Sequence, residues 1–166
     1  RDGKLTLSTE AKGLQVTQSW ELKDAELELN ISVHNPSNSP RKFSYKSHPE
    51  YTVGGTGDSV TDVIYLPMSD GLTKLPFWTG LGDKPVGDLT ANWWAAVDTQ
   101  SNIALKQTFT GNGLAQPRLW FGQGHYNVEL ITERGLEIGA GQTWQAQFKW
   151  SVIKTNSVNL EQALQH

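Results

Sequence analysis

Strict alternation of apolar and polar residues is the sequence feature that most restricts the fold. Between positions 25 and 33, Leu27, Leu29, Ile31 and Val33 take every second place, and polar residues fill the places between them. Successive side chains of a β-strand point to opposite faces, so this pattern predicts a strand with one buried and one solvated face. Strands of this kind are typical of antiparallel sheets.

The same alternation recurs at short spacing along the chain, with turn residues between the segments, as in N-P-S-N-S-P at 35–40. Strands are predicted at 4–8, 14–22, 25–33, 42–52, 63–66, 93–98, 103–109, 120–133 and 142–153. Helix is expected only as a short C-terminal element that Asn156 or Ser157 could cap. The pattern predicts an all-β class, a sandwich or a barrel.

Length and composition narrow the function. A chain of 166 residues is expected to form a single domain, 1–166, with a sizeable core. The absence of cysteine excludes a disulfide framework, a zinc–thiolate site and a cysteine nucleophile. A net charge of −3 with scattered basic residues predicts no nucleic-acid partner. No apolar run approaches the ~20 residues of a membrane span.

The chain begins at Arg1, without an initiator methionine or a signal peptide. We therefore expect a processed protein or a fragment of a longer one. The composition leaves the compartment open, with the periplasm or the extracellular space slightly favoured.

The stretch W-F-G-Q-G-H-Y-N-V-E-L-I-T-E at 120–133 is the strongest candidate for a functional site. Read as a strand, it places His125, Asn127 and Glu129 on one face and apolar residues on the other. Gly122 and Gly124 would let the backbone bend or let a ligand approach. The alternative is an ordinary surface strand with one solvated face.

A second stretch, at 42–52, supplies a matching histidine. It places His48 on one face together with Lys46 and Glu50, while Pro49 predicts a strand that is at an edge, is bulged or ends there. An imidazole and a carboxylate that face one cleft can move a proton on and off an oxygen near neutral pH. His48 and Glu129 would form such a pair if their strands are close in the sheet. Otherwise His48 is an ordinary hydrogen-bonded strand residue.

The sequence contains seven tryptophans but one methionine. Indole rings stack well on flat apolar surfaces, and sugar rings offer such surfaces on their C–H faces. The stacking candidates are Trp78, Trp93, Trp94 and Trp120. Trp78 lies in a segment, 59–92, where little regular structure is predicted, and it is either a ligand platform or an anchor that pins the loop to the core.

Several motifs together resemble the C-terminal half of the aldose 1-epimerase (galactose mutarotase) superfamily. The residues that carry the resemblance are I-S-V-H-N-P-S at 31–37, H-P-E-Y at 48–51, V-E-L at 128–130 and the strand at 139–150 that begins with glycine and carries spaced aromatics. Asp98, after Trp93 and Trp94, is a weaker match to the family's substrate-binding aspartate.

This resemblance implies a β-supersandwich with a sugar on its concave face. It gives His48 the role of acid on the ring oxygen and Glu129 that of base on the anomeric hydroxyl. Pro49 after the histidine departs from the family pattern, and the N-terminal half, which supplies a further histidine and an arginine or asparagine, is missing. A half-sandwich should expose an apolar sheet face, so a homodimer or a partner domain is expected to cover it.

Cofactor motifs are absent: the sequence has no dinucleotide fingerprint after a strand, no P-loop and no H-E-x-x-H, and no cofactor is predicted. A metal set of His48, Glu50, His125 and Glu129 is an alternative, although no H-x-H pair is present. Otherwise His125 is a hydrogen-bonded loop residue.

Three functions stay open. The first is an aldose 1-epimerase-like isomerase that uses His48 and Glu129. The second is a non-catalytic carbohydrate-binding or supporting domain of a larger enzyme, with the four tryptophans for stacking and Asp98, Asn127 and Glu129 as hydrogen-bonding partners; His125 is a further substrate-binding candidate. The third is a structural β-sandwich without a ligand.

Overall fold

Fourteen β-strands make up most of the part of the chain that the structure describes. The computed structural model describes residues 3–54, 59–132, 136–154 and Leu164, with only the backbone of Ala115 and Gln116. The strands in chain order are β1 Gly3–Ala11, β2 Leu14–Lys23, β3 Glu26–His34, β4 Arg41–Phe43, β5 Glu50–Tyr51, β6 Asp62–Met68, β7 Gly71–Pro76, β8 Gly82–Lys84, β9 Trp93–Asp98, β10 Ile103–Gly111, β11 Leu114–Phe121, β12 Tyr126–Thr132, β13 Leu136–Ile138 and β14 Thr143–Lys154.

The strands form two main antiparallel sheets and a short ribbon. The large sheet has eight strands in the order β1-β2-β3-β14-β10-β9-β6-β7, and the small sheet has four in the order β5-β12-β11-β8. The ribbon pairs β13 with β4. The all-β class predicted from the alternation is confirmed, and the architecture is the antiparallel sandwich that the family resemblance implied.

Apolar faces of the two sheets pack against each other, as the period-two pattern requires. In the middle of the molecule, Ile64, Leu66 and Trp94 of the large sheet meet Leu119 and Phe121 of the small one. Beside them a second cluster joins β2, β3 and β14 to residues that include Phe109, Leu130 and Ile138. Tyr51 ties the layers together, since its hydroxyl accepts a hydrogen bond from Trp150 Nε1 at 2.9 Å.

Three segments differ from their predicted structure. Residues 42–52 are not one strand, because β4 pairs in the ribbon and β5 pairs in the small sheet. The segment 59–92 is not irregular, since it contains β6, β7 and β8. The stretch 120–133 is a hairpin that holds the end of β11, a turn and β12. Prolines and glycines concealed where one strand ended and the next began, and in 59–92 the alternation itself was weak.

The expected C-terminal helix, with its caps Asn156 and Ser157, falls outside the described residues. From that region the structure describes Leu164. It is buried against Tyr65, Ala95 and other residues on the side of the large sheet that points away from the small sheet. No helix among the described residues is long and apolar enough to cross a membrane.

Candidate active site

A cross-strand pair in the small sheet brings His48 and Glu129 together. Residues 46–51 run antiparallel to β12, with Lys46 paired to Ile131 and Glu50 paired to Asn127 in one continuous register. The same register puts His48 opposite Glu129. Pro49, which cannot donate to the ladder, lies between the two paired positions Lys46 and Glu50. His48 Nδ1 is hydrogen-bonded to Glu129 Oε1. The strand adjacency that the sequence argument required is therefore present.

The two faces of this region follow the predicted alternation. Ser47 and Tyr51 point into the core, whereas Lys46 and His48 point away from it and are 45% and 58% exposed in their side chains. On β12 the apolar residues Tyr126, Val128 and Leu130 are fully buried, as predicted. The face of the small sheet that points away from the core is called the outer face below.

Glu129 is almost completely buried although it belongs to the outer face. Its side chain is 3% exposed, and its second oxygen, Oε2, lies 2.8 Å from Lys46 Nζ. Burial by itself would raise the pKa of the Glu129 carboxyl, but the hydrogen bonds and charges of Lys46 and His48 outweigh it and hold that pKa below its usual range. The carboxylate is thus ionised at neutral pH.

Asn127 completes a small polar network beside the pair. Its side-chain Nδ2 lies 3.3 Å from His48 Nε2. A carboxylate only accepts hydrogen bonds, so we infer that His48 Nδ1 donates to Glu129 and Nε2 accepts from the Asn127 amide. Asn127 is fully buried, and its Oδ1 has no hydrogen-bond partner among the described residues.

Trp120 and His125 lie at one end of the outer face. Trp120 pairs with Asn127 across β11 and β12, so its side chain shares the face with Glu129. The His125 ring packs on the indole of Trp120 with 5.5 Å between ring centroids, and His125 Nδ1 bonds the carbonyl of Gln123 at 3.0 Å. A Cβ at Gly122 would lie 2.5 Å from His125 Nε2, so this packing depends on glycine.

Asp98 lies apart from this group, at the end of the β9–β10 hairpin. Its carboxylate accepts from the Thr61 hydroxyl at 2.6 Å and from the backbone N–H groups of Gln100 and Ser101 at 3.0 and 3.1 Å. Burial would raise the pKa of Asp98, but hydrogen bonds from the Ser101 and Thr61 hydroxyls and from the backbone N–H groups of Gln100 and Ser101 outweigh it and lower the pKa to about 2. The side chain is completely buried and its backbone donors belong to the turn, so it caps the turn.

The remaining tryptophans do not join the outer face. Trp94 is fully buried in the core and its Nε1 donates to Gln107, so it offers no surface for stacking. Trp93 packs on the opposite side of the large sheet, with Lys106 Nζ 5.4 Å from its ring centroid. Trp78 is 38% exposed and contacts Phe121 edge-to-face, which makes it a partly exposed anchor of its loop.

Two basic residues beside Glu129 were not among the predicted site residues. Lys46 forms the ion pair described above, and Arg118 stands opposite Glu129 on β11. Arg118 Nε bonds Asp83 Oδ1 at 2.9 Å. Lys46 could have been found from the sequence, because it precedes His48 by two positions and so shares its face.

A cavity of about 890 Å³ adjoins the outer face at Arg118. Its lining includes Asp83, Arg118 and Ile131 from the small sheet, together with Leu89 and Asn92. Neither His48 nor Glu129 lines it. The His48–Glu129 pair is therefore on an open surface beside the cavity and not at its bottom.

The alternative metal set is not assembled. Among the residues with described positions, no group of three or more His, Asp or Glu side chains is arranged to hold a metal ion. His48 and Glu129 meet, but His125 bonds the Gln123 carbonyl and stacks on Trp120 instead.

Comparison with known proteins identifies the fold. No protein-family model matches the sequence, and no curated protein matches it. Among solved structures, a galactose mutarotase-like protein from Clostridium acetobutylicum is similar, with a TM-score of 0.67 and 11% identity over 93% of this chain and 63% of that one. A galactose mutarotase related enzyme from Lactobacillus acidophilus has a TM-score of 0.63 and 13% identity over 96% and 70%. A protein from Synechocystis has a TM-score of 0.68 and 13% identity over 93% and 62%.

The chain spans less than two-thirds of the length of the Synechocystis and Clostridium proteins, at 62% and 63%. Identities of 11% to 13% carry the fold and not the activity. With its antiparallel two-sheet architecture, the chain has the galactose mutarotase-like fold that the sequence motifs predicted.

Proposed function

We propose that the protein binds a sugar on the outer face of the small sheet and interconverts its anomers, in the manner of an aldose 1-epimerase. The observation that carries this proposal is the direct cross-strand contact between an exposed imidazole, His48, and a buried carboxylate, Glu129. Pairs of this kind supply general acid and general base to one reacting group.

In the proposed reaction the two residues exchange protons with opposite sides of the anomeric carbon. The Glu129 carboxylate takes the proton of the anomeric hydroxyl, and the O–H electron pair becomes the second bond of a C=O group. The bond from the anomeric carbon to the ring oxygen breaks, and the ring oxygen takes a proton from protonated His48. Rotation of the open aldehyde and reversal of these steps give the other anomer, with no oxidant, reductant or net proton transfer.

The electrostatics of Glu129 suit the role of base. Its pKa is held below the usual range, so it is ionised at neutral pH and ready to accept a proton. In the free protein its Oε1 is hydrogen-bonded to His48, so a sugar hydroxyl must replace that contact. The proposal therefore requires His48 to move when the sugar binds, and its 58% exposed side chain has room to do so.

Asn127 suits both protonation states of His48. Its amide nitrogen can donate to Nε2 of a neutral ring, and after a half-turn of the amide its oxygen can accept from Nε2–H of a protonated ring. That oxygen is buried and has no partner among the described residues, and the half-turn of the amide gives it one in the imidazolium. Trp120, half-buried on the same face, is the proposed stacking surface for the sugar ring.

A non-catalytic sugar-binding or supporting domain is the second candidate. Two observations favour it. Lys46 Nζ forms an ion pair with Oε2 of Glu129, and the chain spans only 62% of the length of the Synechocystis protein. Under this alternative Trp120→Ala weakens sugar binding by ~1 kcal/mol or more, as for other aromatic contacts, whereas His48→Ala changes it little.

The deciding experiment measures anomer exchange in a panel of free aldoses by NMR saturation transfer, with and without the protein. Acceleration that is lost in Glu129→Gln but kept in Glu50→Gln supports catalysis, since Glu50 is an exposed carboxylate on the same edge strand. No acceleration by the folded wild-type protein with any aldose would overturn it. Tryptophan fluorescence with the same panel then tests binding alone.

A further inference from the structure

Strand β1 is an open edge of the large sheet. Among the described strands it pairs only with β2, and each of its nine residues is exposed. An edge strand of this length presents a row of unpaired backbone N–H and C=O groups, which readily pair with another strand.

The face of this edge is also apolar. Leu5, Leu7 and Leu22 are 54%, 52% and 44% exposed, and the β1–β2 register places them on one face of the hairpin. The same face continues inward to Trp20, which stacks on Trp150 in the core. The large sheet thus extends an apolar surface beyond the part that the small sheet covers.

The β1–β2 turn determines which backbone groups point outward. Lys12 and Gly13 both have positive φ, of 51° and 74°, and Ala11 pairs with Leu14. A two-residue turn of this type is closed by a hydrogen-bonded pair, and hydrogen-bonded residues alternate along an antiparallel strand. Odd-numbered residues of β1 therefore bond β2, and the backbone groups of Lys4, Thr6, Ser8 and Glu10 point to the open edge.

We propose that β1 pairs antiparallel with β1 of a second copy of this chain, about a twofold axis at Leu7. This register places Lys4 opposite Glu10 of the second copy and Thr6 opposite Ser8, so opposite charges meet twice. All four residues carry outward-pointing backbone groups, so the ladder can form. Leu5 and Leu7 of the two copies meet on the apolar face, and the two large sheets become one continuous sheet.

The charges select this register over its neighbours. A shift by two residues towards the N-terminus puts Lys4 opposite Ser8, and a shift towards the C-terminus puts Glu10 opposite Thr6, so neither keeps a charge pair. A shift by one residue brings outward-pointing backbone groups against inward-pointing ones and breaks the ladder. The alternative occupant of the edge is a different polypeptide segment, and it makes no demand on the pairing of Lys4 with Glu10.

A charge-complementation experiment separates these occupants. Sedimentation equilibrium is run on the wild type, on Glu10→Lys, on Lys4→Glu and on an equimolar mixture of the two variants. Asp70→Lys, an exposed charge reversal in the turn at the far edge of the same sheet, is the control. Far-UV circular dichroism checks the fold of each variant.

The wild type and Asp70→Lys are expected to dimerise. Each β1 variant places two like-charge pairs in its own dimer and should raise the dissociation constant roughly tenfold. In the mixture, the unchanged Lys4 of one variant meets the unchanged Glu10 of the other, and the two introduced side chains also have opposite charges, so dimers should return. A monomeric wild type, a dimer that both variants leave unchanged, or a mixture that stays as dissociated as its components would overturn the proposal.

Discussion

Two buried carboxylates, Glu129 and Asp98, show how similar burial serves different ends. Both are almost inaccessible to solvent, at 2% and 0% exposure, and both have a pKa below the usual range despite burial. Asp98 is held by turn backbone N–H groups and a hydroxyl, whose positions the fold determines. Glu129 is held by Lys46 and His48, whose side chains are 45% and 58% exposed.

The difference lies in whether the donors can leave. The backbone donors to Asp98 are fixed by the turn and cannot move away from the carboxylate, so they hold it permanently. Exposed side-chain donors can turn to water or give way to a ligand hydroxyl at little cost. A buried carboxylate with replaceable donors is therefore the better candidate for chemistry.

The sharpest contrast between the two carboxylates is in the proposed reaction. Glu129→Gln should lower the rate of anomer exchange by about 10²–10⁴-fold, since the variant has lost its base. Asp98→Asn should leave the rate per folded molecule unchanged, because the carboxylate lies in a turn away from the outer face. The rates are measured by NMR exchange and normalised to the folded fraction; equal losses in both variants would remove the distinction.

Stability should show the opposite order. Asp98→Ala removes the carboxylate that accepts from the backbone N–H groups of Gln100 and Ser101 and from the Thr61 hydroxyl, and it should lower the free energy of unfolding by about 2 kcal/mol. Glu129→Gln releases exposed partners and should cost about 1 kcal/mol or less. Urea unfolding monitored by tryptophan fluorescence measures both values, and a larger loss for Glu129→Gln would contradict the comparison.

The loss of folding stability at low pH should depend in part on Asp98. Its pKa is lowered from 3.8 to about 2, so its contribution is fully present above the unfolded value and is lost as the pH falls through the folded value. Stability should therefore drop between pH ~4 and ~2, and this part of the drop should be smaller in Asp98→Asn. Urea midpoints across that pH range test it, and parallel curves for the two proteins would count against the turn-cap role.

The smallest expected effect concerns Lys46. Its hydrogen bond is the largest of the interactions that lower the pKa of Glu129. Lys46→Met removes that interaction while the effect of burial stays, so the pKa of Glu129 should rise. A base works above its own pKa, so the acid limb of the pH–rate profile should move to higher pH with little change in rate at neutral pH. Lys84→Met, a change on β8 at the opposite edge of the small sheet, is the control and should not shift the acid limb of the profile.

Much of the fold follows from alternation, because each face of a strand samples one environment. The strand predicted at 93–98 coincides with β9, and the faces assigned to His48 and Glu129 are the observed ones. Alternation says nothing about where a strand leaves one sheet for another, so the division of 42–52 between the ribbon and the small sheet was missed. The strand predicted at 63–66 lies within β6, whereas its hairpin partner β7 was missed because polar residues and a terminal proline weaken the pattern.

The candidate site was predictable only where neighbours in sequence share a face. His48 and Glu129 were paired by the family motif, and Asn127 by its phase on β12. Asp98 and Trp94 were not separable from site residues, since a turn-capping aspartate and a core tryptophan look the same in sequence as binding ones. Their partners, Thr61 and Gln107, become neighbours only through folding.

In the proposed reaction His48 and Glu129 act as one unit on a bound sugar. A kinetic double-mutant cycle tests it most directly: anomer-exchange rates are measured for the wild type, His48→Gln, Glu129→Gln and the double variant. Residues that act together are strongly non-additive, so the double variant should be about as slow as the slower single one. Losses that multiply, or single variants as fast as the wild type, would contradict the account.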